Sequence, residues 1–452
     1  MDNYVLFRQA ICLVLFFETL VLWPRFKLYF GPQVFPRSVF TSSFRIHAFQ
    51  ILLLTCLIFL FLDYYAIFAS FILFLCMRYL FVSGRNTRVS TFGAVGQVCL
   101  LISAYIFFFE VALMIDPTYQ LVEFFHNILA IEVGIILLSS GIHKCLLGYL
   151  NDEGFEYALV NPSWGKFFFF FRKLRPSSWF FKINNFGACF LEILTGLCFL
   201  LPETRIFGAY LLIFIFLYVF LTVRVNILPF LMMGIALLYL KPIDFHFPIL
   251  SKHPSQLVIP EFLITLIEAF FILYLIVYIL ITFYRIFQLI MKVPVPSFLI
   301  KPMQIFMFAR PYFEWNVFNF KFTNYFIQIQ KTSKTTKEMT ATIYDGFSKN
   351  YGEIFEDPRL FFRFIHHHES SLLLNLFDLI IFSKYEDMEP YQKQFIKKIV
   401  WYSKTLLTKS EHEDTLVVFT AIHIMKTEDK FFYVPGMSIS VDVKSGTVIR
   451  VR

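Results

Sequence analysis

Nine stretches of this chain, near residues 8–23, 47–62, 64–82, 94–115, 126–148, 186–201, 206–222, 225–240 and 261–289, are almost wholly apolar. Most run near or slightly below the ~20 residues that a helix needs to cross a bilayer core, and the last is longer. Composition agrees with that length: 58% of the 452 residues are hydrophobic, 16% are charged and the mean hydropathy is +0.66, well outside the range of a soluble globular domain. The expected fold is therefore an all-α polytopic membrane bundle of eight or nine spans over residues 1–290. The 63 phenylalanines read as lipid-facing or core side chains, not as a cofactor box.

Basic residues are distributed unevenly between the connections. Those after odd-numbered spans hold Arg25, Lys27, Arg37, Arg45, Arg85, Arg88, Lys166, Arg172, Lys173, Arg175, Lys182 and Arg224, whereas those after even-numbered spans hold only Arg205, Lys241 and Lys252. Cytoplasmic connections carry the excess of Lys and Arg, which predicts an outside N-terminus and an inside C-terminus. In a bacterium the membrane would be the plasma (inner) membrane, with the C-terminal domain cytoplasmic. The first span has an alternative: Arg8 and Glu18 within "NYVLFRQAICLVLFFETL" suit a helix lying flat at the interface. It has neither a basic leader nor a small-residue cleavage site, so no cleaved signal peptide is expected. The net charge of +8 is accounted for mostly by the inside connections and the post-membrane linker, and it points to the membrane surface rather than to nucleic acid.

All seven cysteines lie in or beside apolar runs and none follows Cys198, which leaves no disulfide framework or zinc spacing. Past residue 290 the texture changes. "MKVPVPSFLIKP" reads as a linker over 291–310, and residues 311–452 as a small α+β extramembrane domain. "NVFNFKFTNYFIQIQ" alternates with the period of a strand, and "MTATIYDGF" continues it beyond a loop containing "KTSKTTK". Helices are expected near 358–384 and 389–408. The end reads as strands "TLVVFTAIHIMK", "KFFYVP" and "SISVDVKSGTVIRVR", the last folded into a hairpin at Lys444-Ser445-Gly446.

Ionisable groups within the spans carry the functional information, because each costs ~2.5–3.5 kcal/mol at a helix centre unless it is paired or near an end. The candidates are Glu18, Arg78, Glu110, Glu132, Lys144, Glu192 and Glu268. Lys144 has two readings: a catalytic amine in a pocket, or an end-of-helix lysine whose ammonium reaches the headgroups. Glu132 precedes it by twelve residues on the same helix, ~18 Å away at 1.5 Å per residue, and cannot pair with it. Glu132 and Glu192 each suit either a structural hydrogen bond or a functional polar site. His366, His367 and His368, followed by Glu369, do not converge on one ion, because adjacent helical residues point about 100° apart; they read as a solvated face. "GKFFFFFRKLRPSSWFFK" (165–182) is too basic to span, and its mixture of aromatic and basic side chains suits the headgroup plane, where it would wall the inside end of the Lys144 region. Phosphate-binding glycine loops, zinc-protease helices and nucleophile elbows do not occur.

The order of these features resembles the horizontally transferred transmembrane (HTTM) domain family, a membrane module related to vitamin K-dependent gamma-carboxylases. The resemblance rests on "YFGPQVFPRS" (29–38), "STFGAVGQVCLLISAYIFF" (90–108), the helix end Ser140-Gly141-Ile142-His143-Lys144 followed by Gly154 and Ala158-Leu159, and the run 184–242 with its Leu228-Pro229-Phe230 turn. It covers residues 1–245, and the remainder only by domain order. It implies a pocket for reduced vitamin K or another lipid-soluble quinol between the fifth, sixth and seventh spans, with Lys144 as the base and Glu192 as its polar partner. The carboxylase relatives also carry a histidine before the proline turn. Here 206–240 holds none, and Phe216 stands near that position. Glutamate carboxylation is accordingly not expected. The two readings that remain are a non-catalytic membrane scaffold whose C-terminal domain binds a protein partner, and a quinol-dependent membrane enzyme.

Overall fold

Where the apolar runs lie, the chain is helical. The computed structural model describes residues 2–26, 40, 42–82, 93–116, 118–151, 154–225, 227–241, 257, 259–291, 324–344, 397 and 399–451. Its helices are α1 (Asp2–Leu22), α2 (Ser43–Phe61), α3 (Ala66–Val82), α4 (Gly93–Ile115), α5 (Gln120–Leu146), α6 (Phe155–Val160), α7 (Phe168–Phe171), α8 (Trp179–Leu200), α9 (Arg205–Thr222), α10 (Leu228–Leu237) and α11 (Glu261–Met291). Among the described residues, seven helices are long and apolar enough to cross a membrane: α1, α2, α4, α5, α8, α9 and α11. The other two expected spans are shorter, 17 residues in α3 and 10 in α10. Proline fixes one boundary: Pro229 sits in the first turn of α10, where its missing N–H costs nothing. A tight turn fixes the other. Asp63 and Tyr65, just before α3, have φ of 58° and 46°, left-handed values that a side chain adopts at a cost of ~1–3 kcal/mol.

That turn aims Asp63 at α1. Arg8 is 1% exposed, and its Nη1 meets Asp63 Oδ1 at 2.6 Å and Glu110 Oε1 of α4 at 2.5 Å. The Tyr4 hydroxyl donates to the same Glu110 oxygen at 2.6 Å. The first helix is thus tied to the bundle by its arginine, which finds two carboxylates from other elements. Glu132, midway along α5, is also accounted for: Tyr105 of α4 and Tyr274 of α11 each donate a hydroxyl to it at 2.8 Å.

Helices α5 and α8 touch at the level of their backbones. A Cβ built on Gly196 would lie 2.6 Å from the Leu138 nitrogen and 2.7 Å from the Gly134 oxygen, and one on Gly141 would lie 2.8 Å from the Cys189 oxygen. Small residues permit this approach and are what helices use where no hydrophobic effect drives them together.

The C-terminal part is a five-stranded antiparallel sheet in the order β2-β1-β3-β4-β5, built from β1 (Tyr325–Ser333), β2 (Met339–Tyr344), β3 (Thr415–Lys426), β4 (Phe431–Asp442) and β5 (Thr447–Val451). The alternating stretches read from the sequence become these strands, except that "KFFYVP" and "SISVD" join as one strand. The irregularity between Thr420 and Ile422 of β3 absorbs the Pro435-Gly436 step. Gly446, with φ of +70°, closes the terminal hairpin. Residues 397 and 399–405 are helical, and Tyr402 packs on Phe419 of the sheet. The expected helix 358–384, the linker and the start of the first strand lie outside the described residues.

The sheet rests against the connection between α5 and α8. Asn161 donates to the Tyr325 carbonyl (2.8 Å), the Tyr433 hydroxyl to the Val160 carbonyl (2.9 Å), and Ser177 to the Glu428 carbonyl (3.0 Å). Phe181 meets Phe431 edge-on. The same connection is fixed to α9, where the Lys166 ammonium caps the Phe220 carbonyl and lies 4.0 Å from that ring's centroid.

Gly196→Val places side-chain atoms where backbone already lies, and overpacking of this kind costs ~1–3 kcal/mol or more. We expect a clear fall in the thermal unfolding midpoint in detergent. Gly187→Val, whose Cβ would meet nothing nearer than 4.0 Å, should change it little.

Candidate functional site

Lys144 occupies the last turn of α5 and is buried, at 6% exposure. Helical side chains lean toward the N-terminus of their own helix. A lysine at the end of α5 therefore points back into the bundle, along the face that Ser140 shares one turn earlier. Both converge on Glu192 of α8: the Lys144 ammonium pairs with Oε1, and the Ser140 hydroxyl donates to Oε2 at 2.8 Å. The ammonium is thus engaged by an acid on the neighbouring helix. The two residues, 48 positions apart in sequence, meet.

Below this pair a second carboxylate is buried. The chain turns after α5 through a short helical turn, Tyr149–Asn151, and packs the Tyr149 ring against Gly154, where a Cβ would come within 2.6 Å of it. Burial pushes the Tyr149 phenol up, and Glu192, Cys189 and Glu156 nearby push it the same way. Glu156, 1% exposed in α6, accepts from the Gly154 amide at 3.0 Å and from Asn185 Nδ2 at 2.8 Å. Asn185 belongs to α8, and its Oδ1 accepts from the Phe155 amide at 2.7 Å. The other Glu156 oxygen is taken by Lys426 of β3 at 2.8 Å. Two polar clusters therefore lie along α8: Lys144 and Ser140 on Glu192, and, seven residues nearer its start, Asn185 on Glu156, which is also held by Lys426 of the sheet.

Sequence reasoning found Lys144 and Glu192 but missed Glu156, Asn185 and Lys426. Glu156 and Lys426 are 270 residues apart and lie in polar surroundings, where a charge carries no penalty that would mark it. The other five ionisable candidates lie elsewhere: Glu110 is bound by Arg8, Glu132 by two tyrosines, Glu18 is buried on α1, Arg78 is half-buried on α3 and Glu268 is half-buried on α11. His143, next to Lys144, is buried at 5% and points away from Glu192 by the helical geometry. The histidine run 366–368 and Glu369 lie outside the described residues. Among the described residues no three metal-ligating side chains gather into one site.

Both Glu192 oxygens are engaged, one by the Lys144 amine and one by the Ser140 hydroxyl. No family model matches this chain, and neither a curated protein nor a solved structure is significantly similar to it.

Removing one member of a buried ion pair strands the other charge and costs ~3–5 kcal/mol, whereas replacing both by apolar groups is often neutral. Lys144→Met should therefore lower stability in detergent strongly, and adding Glu192→Leu should restore most of it. Additive losses in this double-mutant cycle would show that the two side chains do not depend on each other.

Proposed function

We propose that this chain is a multi-pass integral membrane protein of the HTTM type whose bundle acts as a non-catalytic scaffold. In this reading the seven long helices sit in the bilayer with lipids as their surroundings, and the sheet is presented to a protein partner at the cytoplasmic surface. One observation carries it: the residue that would have to be a free base is engaged by Glu192, and the second buried carboxylate beside α8, Glu156, is engaged by Lys426 of the sheet. In this reading a buried ion pair, Glu156 with Lys426, joins the bundle to the sheet. The basic connection 161–182 packs against the sheet, which supports one side for both, and its charge supports the cytoplasmic side.

A second reading is favoured by the direction in which Lys144 points. A lysine facing the bundle interior beside a serine and a glutamate suits a gamma-carboxylase-like enzyme that deprotonates a reduced quinone-type cosubstrate, with Lys144 as base and Glu192 releasing it when the cosubstrate binds. The arginine variant separates the two. A guanidinium keeps the ion pair but cannot act as a base in proteins. We expect purified protein to show no sustained oxidation of reduced vitamin K or another quinol by absorbance, with Lys144→Arg indistinguishable from the wild type. Steady quinol oxidation that Lys144→Arg abolishes would establish the enzyme and end the scaffold reading. Orientation has its own test. A reporter fused after Arg452 should be active only in the cytoplasm, and activity confined to the outside would reverse the topology.

A further inference from the structure

The connection between α6 and α8 exposes large rings and basic groups side by side. In α7 and its flanks, Phe168 and Phe171 are buried and hold the segment to the protein, while Phe167, Phe169 and Phe170 are 45%, 54% and 55% exposed. Arg172, Lys173, Arg175 and Lys182 are all exposed, and the run 163–182 contains no acidic residue. Trp179, which opens α8, is 72% exposed. From it an outward stripe continues along the helix through Ile183, Phe186, Phe190 and Leu197, spaced at three, four and seven residues as one helical face requires. Lys182 lies within the first turn of that face. The basic groups therefore stand at the end of a continuous apolar surface. Rings are interleaved among them.

This arrangement is selective. A soluble acidic protein or a nucleic acid would use the cations but leave three phenylalanines and a tryptophan facing water. A neutral lipid surface would bury the rings but leave the cations without counter-charge. An acidic phospholipid leaflet satisfies both, since aromatic rings sit at headgroup level and lysine and arginine are drawn to anionic headgroups. Not all the cations are equally available. Arg172 lies 6.0 Å from the Phe168 ring centroid and acts on the Tyr433 phenol. Near Ser177 the β3–β4 turn brings Glu428 and Asp429 together with Lys430. Lys173, Arg175 and Lys182 form no ion pair among the described residues.

We propose that the surface formed by Phe167, Phe169, Phe170 and Trp179 with Lys173, Arg175 and Lys182 is a binding site for acidic phospholipid headgroups. It deepens the membrane reading above and rests on it. The bound headgroups lie beside the connection on which the sheet is seated, so leaflet charge acts on the platform that holds the sheet.

The test uses the full chain assembled into nanodiscs from equal parts phosphatidylcholine and phosphatidylglycerol, extracted into mild detergent, with retained lipid measured by mass spectrometry. Each basic residue at an anionic surface contributes a preference of about fivefold. Wild-type protein should therefore retain phosphatidylglycerol in at least several-fold excess, and high salt during extraction should reduce that excess. The triple variant Lys173→Gln, Arg175→Gln, Lys182→Gln, checked for unchanged helicity by circular dichroism, should return to the input ratio. Incorporated wild-type protein that retains the two lipids equally, or a folded triple variant that keeps the enrichment, overturns the lipid proposal alone. Protein that stays in the aqueous phase and never enters the discs overturns the membrane reading and this site with it.

Discussion

At Gly134, Gly141 and Gly196 the backbones of α5 and α8 come into contact, and that proximity governs what each helix can carry beyond it. Two helices this close leave no water between them, so a lysine in the last turn of α5 must either turn outward or find an acid on α8. Glu192 supplies the acid, and its second oxygen is claimed by Ser140. Seven residues nearer the start of α8, Asn185 makes two hydrogen bonds to α6 and its first amide. Glycine contact, ion pair and amide bracket succeed one another down a single helix, and the last of them orients the carboxylate that holds the sheet.

Buried charges elsewhere are handled by the same rule with different partners. Arg8 draws one carboxylate from α4 and one from a left-handed turn, while Glu132 is held by two phenols without a cation. Each arrangement joins elements distant in sequence. Desolvation makes every such group expensive when alone, so each one restricts which helices may be neighbours. In a bundle of otherwise interchangeable leucines and phenylalanines, these few polar contacts specify the arrangement.

Much of this fold is legible in the sequence because length and period are local properties. Apolar runs give the helices, and alternation gives β3 from Thr415 to Lys426 and the hairpin at Gly446. Boundaries set by backbone geometry are less visible, as at α3, where Asp63 and Tyr65 adopt positive φ with no glycine to announce it. Lys144 and Glu192 stand out singly because each is anomalous in apolar surroundings, but nothing local says that they pair. Arg8 shows the limit most clearly. Its presence in the first apolar run argues for an interfacial helix only while Glu110 and Asp63 are unknown as neighbours. Glu156 and Lys426 give no signal at all, since neither is anomalous where it stands.

The contact between Tyr274 and Glu132 has a mechanical side. Helix α11 presents a long row of outward apolar residues, among them Phe262, Leu266, Leu273, Leu280 and Phe287, and touches the bundle through Phe271, Tyr274, Leu275 and Tyr278. Packing between smooth apolar surfaces resists separation but only weakly resists sliding along the helix axis. A hydroxyl bonded to a fixed carboxylate does resist it, because a displacement of one turn, ~5.4 Å, breaks the bond outright. Tyr274 therefore acts as a depth gauge. It fixes the axial register of α11 against α5.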